Sequence, residues 1–375
     1  MRIVADKNIP LLSTLLCGHE LVQVEAHKID TDSLSQADAL IVRSVTQVDS
    51  HLLRGSSIRF VATVTSGVDH IDLPWLLDAG IAFSSAAGAN ATAVADYVMA
   101  AFCWNLLRTG KRPEELCCGV VGVGHVGAEV LRRFRALGCE VLACDPPRRE
   151  SGGLLASEFV DLSALAACDL VSFHVPLNAS GHARTVGLID SEFLCCLPND
   201  CLLINTSRGE VLNEKDAVNT LSVRKDIHLV LDVFKGEPNP DPKLVYLSDL
   251  ATPHIAGYSR RAKHLAAKKV TKDLIRFFKL DNLEPNATDR SNERTQLKLL
   301  TGKLDEVWEV AINTVQLRSI SDTFKRGVQR GEASVIFNTL RTECSPRLEY
   351  SECFPIGQSS AQATAYLAGL GFALN

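Results

Sequence analysis

Residues 119–145 read GVVGVGHVGAEVLRRFRALGCEVLACD, and no other stretch restricts the fold as strongly. GVVGVG is a short apolar strand running into glycine. HVGAEVLRRFRALG carries Val126, Val130, Phe134 and Leu137 at helical spacing, and CEVLACD is a second strand ending on an acid. Gly122, Gly124 and Gly127 stand at GxGxxG spacing. A dinucleotide needs each for a separate reason: a tight turn at Gly122, close backbone approach to the pyrophosphate at Gly124, and helix–strand packing at Gly127. The helix that follows, beginning with His125 and Val126, offers unpaired N–H groups and a partial positive charge to phosphates. Asp145 ends the second strand, where a carboxylate binds ribose hydroxyls and repels a 2′-phosphate, so NAD is favoured over NADP. Glycine turns also serve methyltransferases or packing alone, but here strand, helix and acid are all in place.

A chain of 375 residues exceeds one ordinary core, so two or three domains are expected. The net charge of −5 argues against an electrostatic nucleic-acid footprint, and short basic clusters such as Arg260-Arg261 read as solvated helix faces. MRIVAD opens directly as a strand, so no leader peptide is expected. The twelve cysteines include no CxxC pair and no zinc-site spacing; they read as reduced core thiols of a cytosolic protein, with no metal. The apolar run 91–107 is broken by Asp96 and Asn105, which makes it a buried helix and not a membrane span.

Short buried strands are predicted at 3–5, 21–24, 39–43, 58–64 and 81–84, separated by helical or turn-rich segments. That alternation implies a parallel sheet covered on both faces. A long helix opens at Asn90 and stops near Gly110. After 119–145 come strands at 170–175, 201–206, 227–233 and 250–252. A second long helix spans 259–279, so the chain leaves its first domain and returns to it. The polar segment 281–292 reads as a loop and a boundary. The predicted class is α/β with two doubly wound parallel-sheet domains. They are a substrate-binding lid domain at 1–93 with 257–284 and a Rossmann-type domain at 94–256. A small α+β segment follows at 285–375.

Three polar signals follow predicted strands, where ligands of α/β sheets bind: NTSRGEVLN (205–213), LDVFKGEP (231–238) and TPHIAGY (252–258). An arginine fork at Arg208 can grip a carboxylate. Hydride transfer from an alcohol carbon requires a base for the hydroxyl proton, and an imidazole, which His254 supplies, is the side chain most often used for it. A carboxylate on its other nitrogen, Glu237, would fix the tautomer. Each residue alone has a plainer reading, as a turn cation, a solvated acid or a structural histidine. Their order after a dinucleotide fingerprint favours the catalytic one.

Together GVVGVGHVG, NTSRGEV, LDVFKGEP and TPHIAGY resemble the D-isomer-specific 2-hydroxyacid dehydrogenase superfamily, whose catalytic Arg, Glu and His fall in the last three motifs. A narrower resemblance covers nearly the whole chain: MRIVADKNIP, ADALIVRSVTQV (37–48), TSGVDHID (65–72), ACDPPR (143–148), HIAGYS (254–259) and LRTECSPRLEYS (340–351) look like the erythronate-4-phosphate dehydrogenase family. The resemblance implies NAD-dependent oxidation of 4-phospho-D-erythronate in pyridoxal 5′-phosphate biosynthesis, by a cytoplasmic homodimer that pairs through 285–375. It implies that Ser44 and Thr65 contact the substrate and that Tyr258 closes over it. Thr206, Ser207 and Gly257 would lie on the cofactor, and Asp232 near its nicotinamide end. Arg43 is a reasonable aid to phosphate binding, and Arg341 or Arg347 would reach a phosphate across a dimer interface.

Two departures stand out. The family commonly has threonine where this chain has Val175, which leaves backbone or packing contact with the cofactor there. AHKID (26–30) replaces the family's proline–glycine–arginine run and leaves the substrate loop's shape open. The alternatives are another D-2-hydroxyacid dehydrogenase, such as one acting on 3-phosphoglycerate, and a dinucleotide-sensing corepressor or scaffold on the same fold.

Overall fold

The computed structural model describes residues 1–152, 156–280, 295–299, 303–344, 346–357 and 359–374; the loop expected at 281–292 lies outside them. The chain divides into two compact units, Met1–Asn90 with Arg260–Ser291 and Ala91–Ser259 with Asn292–Asn375.

The first unit holds five parallel strands, β1 (Arg2–Asp6), β2 (Glu20–Val24), β3 (Ala39–Val42), β4 (Phe60–Thr63) and β5 (Ala82–Ser85), in the order β2-β1-β3-β4-β5. That order is flavodoxin-like. Side chains alternate between two cores: Ile3, Ala5, Ala39, Ile41 and Phe60 enter one, and Val4, Leu40, Val42 and Val61 enter the other. Burial of both faces is what a parallel sheet demands. The helix Arg260–Phe278 covers the first face with Ala266, Ala267, Val270 and Leu274. Asp273 on that helix accepts a hydrogen bond from Ser84 Oγ at 2.7 Å. The chain therefore does leave this unit after Asn90 and return at Arg260.

The second unit opens with helix α1 (Ala91–Thr109). Its strands are β6 (Cys117–Val121), β7 (Glu140–Cys144), β8 (Leu170–Phe173), β9 (Leu202–Asn205), β10 (His228–Leu231) and β11 (Leu250–Ala251), with helix α2 (His125–Ala136) joining β6 to β7. They run parallel in the order β11-β10-β9-β8-β6-β7, and a single bridge from Phe159 to Ala143 adds a further position beyond β7. With that position the sheet has the doubly wound nucleotide-binding order, which reverses direction between β6 and β8. Ligands of such sheets bind at the carboxyl ends of the strands at that reversal.

The C-terminal segment, read from sequence as a small domain at 285–375, belongs from Asn292 onward to this unit. The segment holds a two-stranded parallel sheet of β12 (Thr295–Lys298) and β13 (Cys353–Ile356). Its helices are α3 (Leu304–Val315), α4 (Leu317–Gln329), α5 (Ala333–Glu343) and α6 (Ala361–Leu370). The reason lies in α1. Thirteen of its 19 residues are buried, Asp96 and Asn105 among them, so it must be covered on every side. The sheet supplies part of the cover; Val307, Ala311, Ile312 and Val315 of α3 supply more. Asp96 accepts from Arg133 of α2 at 2.6 Å and from the Tyr350 N–H at 2.9 Å, and the same guanidinium donates to the Leu370 carbonyl at 2.8 Å. A buried ion pair thus joins α1, α2 and the C-terminal segment. Among the described residues no helix is long and apolar enough to cross a membrane, and no group of three His, Cys, Asp or Glu could hold a metal ion.

Candidate active site

At the end of β6 the three glycines meet three different surroundings. Gly122 has φ +81°, and a Cβ there would lie 2.8 Å from the His174 carbonyl oxygen and from Val175 Cγ1. Val175 thus packs against the turn. A Cβ on Gly127 would fall 1.9 Å from the Gly122 oxygen, while one on Gly124 meets nothing within 4 Å. Gly122 and Gly127 are glycines because of the protein itself. Gly124 faces open space, which is the requirement for close approach of a pyrophosphate. Gly124 caps α2 without any side-chain hydrogen bond, so the first-turn N–H groups at His125 and Val126 keep their capacity for an anion. Asp145 follows β7; its carboxylate accepts from the Val123 N–H at 2.7 Å and the Arg148 N–H at 3.2 Å. Four lone pairs leave room for ribose hydroxyls as well.

Next to this turn, His174 follows β8. Its ring lies between Ser172 Oγ at 2.9 Å and Thr206 Oγ1 at 3.2 Å. Burial pushes the imidazole down to about 3, so it is neutral at physiological pH. Thr206 begins the loop after β9. The buried Asn205 side chain shapes that loop by accepting from Ser207 N at 3.0 Å and Ser207 Oγ at 2.6 Å, and by donating to the Arg208 carbonyl at 2.9 Å. Arg208 Nη1 donates to the Ser207 carbonyl at 2.8 Å. Gly209 follows, and a Cβ on it would strike the Phe234 carbonyl carbon at 2.0 Å. Glycine here lets the arginine loop lie directly on the Glu237 loop.

Glu237 accepts from the Phe234 N–H through Oε1 at 3.0 Å and pairs with His254 Nδ1 through Oε2 at 2.8 Å. Burial pushes this carboxyl up, but the charge and hydrogen bond of His254, the Phe234 N–H and the charge of Arg341 outweigh it, so it titrates below the usual carboxylate value. His254 has φ 55°, a left-handed conformation that a non-glycine residue adopts only under constraint. Asp232, which is 1 % exposed, supplies the constraint. Its backbone oxygen accepts from the His254 N–H at 2.7 Å. Its carboxylate accepts from Thr252 Oγ1 at 2.7 Å and from the Ile255 and Ala256 N–H groups, each at 2.8 Å. Burial lifts this carboxyl to about 6 against those donors and His254. Asp232 is thus engaged in shaping the histidine loop.

The loop continues through Gly257 to Tyr258, and here the C-terminal segment takes hold. Arg347 donates to the carbonyls of Tyr258 and Ala256, both at 2.8 Å, and of Ala93 at 3.1 Å. Ser259 Oγ donates to Glu349 at 2.7 Å. Arg341 donates to Tyr258 Oη through Nε at 3.0 Å. Arg347 is buried; the three carbonyls take its Nε and Nη2 donors, and Nη1 is left without a hydrogen-bond partner among the described residues.

In the first unit Ser44 is exposed just beyond β3. Thr65 Oγ1 donates to the Gly67 carbonyl at 2.7 Å and shares a 2.7 Å hydrogen bond with Thr63, which contacts His70 Nε2 at 2.9 Å. Arg43 pairs with the fully buried Asp6 at 2.7 Å.

The model of the family described as "D-isomer specific 2-hydroxyacid dehydrogenase, NAD binding domain" matches residues 87–256. The chain is 35% identical over 388 residues to an erythronate-4-phosphate dehydrogenase of Marinomonas sp. (strain MWYL1), covering 100% of both chains. The chain belongs to the erythronate-4-phosphate dehydrogenase family. It is 44% identical to the enzyme of that name from Pseudomonas entomophila (strain L48) over 74% of this chain and 72% of that one. In fold it is similar to an NAD⁺-bound 3-phosphoglycerate dehydrogenase of Entamoeba histolytica (TM-score 0.63, 22% identity), covering 76% of this chain and 98% of that one. It is also similar to a D-lactate dehydrogenase of Aquifex aeolicus (TM-score 0.62, 21% identity), again covering 76% and 98%. As a family member the chain is an oxidoreductase that carries the NAD-binding domain, and the glycine turn and Asp145 fit that cofactor.

Sequence reasoning missed Asn205, Thr252 and Tyr97, whose hydroxyl lies 2.6 Å from Thr252 Oγ1. Asn205 and Thr252 carried a local signal, since each stands beside a motif residue. Tyr97 had none, because its partner lies 155 residues along the chain.

Proposed function

We propose that this chain oxidises 4-phospho-D-erythronate at C2 to 2-oxo-3-hydroxy-4-phosphobutanoate, on the route to pyridoxal 5′-phosphate, as a cytoplasmic homodimer paired through its C-terminal segment. One observation carries the substrate: the likeness to the erythronate-4-phosphate dehydrogenases spans 100% of the chain, whereas the 3-phosphoglycerate and lactate dehydrogenase structures leave about a quarter of it uncovered.

His254 is the base. With Nδ1 on the Glu237 carboxylate, Nε2 keeps its lone pair and takes the C2 hydroxyl proton. Glu237 holds the ring in that tautomer and stabilises the imidazolium that forms. Arg208 grips the substrate carboxylate with its fork, and Ser44, Thr65 and Tyr258 complete the substrate's contacts. NAD, when bound, supplies the hydride acceptor. Gly122, Gly124, His125, Val126 and Gly127 hold its pyrophosphate and Asp145 its ribose. Val175, Thr206, Ser207, Asp232 and Gly257 line the rest of its path.

The substrate assignment is tested by comparing kcat/KM for 4-phospho-D-erythronate and 3-phosphoglycerate. Preference for the latter would overturn it, and NADH binding without turnover of any 2-hydroxy acid would favour the scaffold reading. His254→Ala should lower kcat by roughly 10³-fold with NAD affinity within about threefold of wild type. Near-normal turnover would remove His254 from its role.

A further inference from the structure

Arginines that could meet a phosphorylated substrate differ in how their charge is used. In the first unit Arg43 is neutralised by the buried carboxylate of Asp6. In the second, Arg347 is buried with Nε and Nη2 held by three carbonyls, and Arg208 takes the carboxylate end of the substrate. Arg341 is different. It lies in the last turn of α5, half-buried, with its guanidinium 5.2 Å from the Tyr258 ring centroid and 5.5 Å from that of Phe337. Its hydrogen bonds go to the Tyr258 hydroxyl, a neutral group. Among the described residues no carboxylate lies within ion-pair range of it. A partly buried guanidinium set against aromatic rings and a phenol gains most from an anionic ligand, since two of its N–H groups fit two oxygens of one phosphate. The location suits a substrate group: Tyr258 is four residues from His254, and the Arg341 charge is close enough to help depress the Glu237 carboxyl.

We infer that Arg341 binds the phosphate of the substrate from within its own chain and sets the preference for phosphorylated over unphosphorylated 2-hydroxy acids. This deepens the function proposed above and rests on it. Arg341 binds the end of the molecule remote from the reacting carbon, so its loss should appear as a substrate-selective loss in kcat/KM.

The test compares wild type, Arg341→Gln and Arg341→Lys on 4-phospho-D-erythronate and on D-erythronate, with NAD saturating. Glutamine keeps a donor for Tyr258 Oη and removes the charge; lysine keeps the charge and loses the fork. The ratio of kcat/KM values, phosphorylated over unphosphorylated, is expected to fall about 30- to 100-fold in Arg341→Gln and about tenfold in Arg341→Lys. kcat/KM on D-erythronate should stay within about threefold. Inorganic phosphate should compete with 4-phospho-D-erythronate in the wild type and at least tenfold more weakly in Arg341→Gln. Equal losses on both substrates would overturn the assignment and reduce Arg341 to a positioning residue for Tyr258, and an unchanged ratio would overturn it outright. If the wild type fails to turn over the phosphorylated acid, the substrate proposal falls. Titration of NAD-loaded protein with inorganic phosphate then decides Arg341 separately: binding lost in Arg341→Gln supports it, and wild-type protein that binds no phosphate sinks it.

Discussion

The glycine turn after β6 and the histidine loop after β11 both lie at carboxyl ends of one parallel sheet, yet they hold their shapes by opposite means. The turn is shaped by what is absent. Gly122 and Gly127 lie so close to their neighbours that any side chain would collide, and the farthest of those neighbours along the chain, Val175, is 53 residues from Gly122 (175 − 122). The loop is shaped by what is brought to it. Asp232, Tyr97 through Thr252, and Arg347 converge on residues 252–258, and Tyr97 and Arg347 do so from 155 and 89 residues away. A turn made by steric exclusion is rigid without help. A loop containing a left-handed histidine stays in place only while its distant donors and acceptors remain, which makes the base dependent on the C-terminal segment.

The strongest way to break the comparison is to add one methyl group at two positions of the turn. Gly127→Ala sets a Cβ 1.9 Å from a carbonyl oxygen in a turn that cannot relax. It should cost about 3–5 kcal/mol and abolish NAD binding, as read by urea unfolding and fluorescence titration. Gly124→Ala meets no protein atom. Its stability should stay within about 1 kcal/mol of wild type while NAD affinity falls more than about tenfold. If both variants were equally destabilised, Gly124 would be a packing glycine and the open space above it would have no part in binding.

The second test acts on the loop. Arg347→Met keeps the length of the side chain and removes the donors to three carbonyls. The expected cost is about 2–4 kcal/mol, with kcat reduced more than about tenfold because the left-handed conformation at His254 loses support. NAD affinity should fall less than kcat, because the hydrogen bonds of Arg347 go to the loop around Gly257 and to Ala93 and none goes to the turn. A variant that lost NAD affinity and kcat together would show that turn and loop are coupled, and the distinction drawn here would not stand.

The same contrast explains what could be read from sequence. The glycine spacing, the acid after the second strand and the strand alternation are local, and the chain announces them. The two sheets, the return of the chain at Arg260 and the adjacency of His254 and Glu237 followed from that local grammar plus a resemblance. The layering of 292–375 on α1 was hidden. The signal was present, in a helix apolar on all sides with Asp96 inside it, but its partner Arg133 looks like any other cation on an amphipathic helix. The engagement of Asp232 with three loop donors was undecided, because a carboxylate after a strand reads alike whether it faces cofactor or backbone.

Two buried titrating groups, one in each region, allow the smallest and most discriminating test. His174 beside the turn is held down to about 3 by burial. Between about pH 3 and 6.5 the unfolded chain therefore binds a proton there that the folded protein does not, and stability rises with pH. Asp232 under the loop is lifted to about 6. Between about pH 4 and 6 the folded protein binds the extra proton, and stability falls as pH rises. The slopes oppose each other, so the wild type should be nearly flat from pH 4.5 to 6 as far as these two groups decide it. Removing one group exposes the other. The stability advantage of wild type over His174→Gln should grow by about 1 kcal/mol across that interval, the full linkage of about 2 kcal/mol being halved for the ring's partial solvent access. The advantage over Asp232→Asn should shrink by about 1–2 kcal/mol across the same interval. Urea denaturation of the three proteins at pH 4.5 and 6 reads both differences directly. Changes of the same sign would mean that one of the two side chains meets water more freely than its burial indicates.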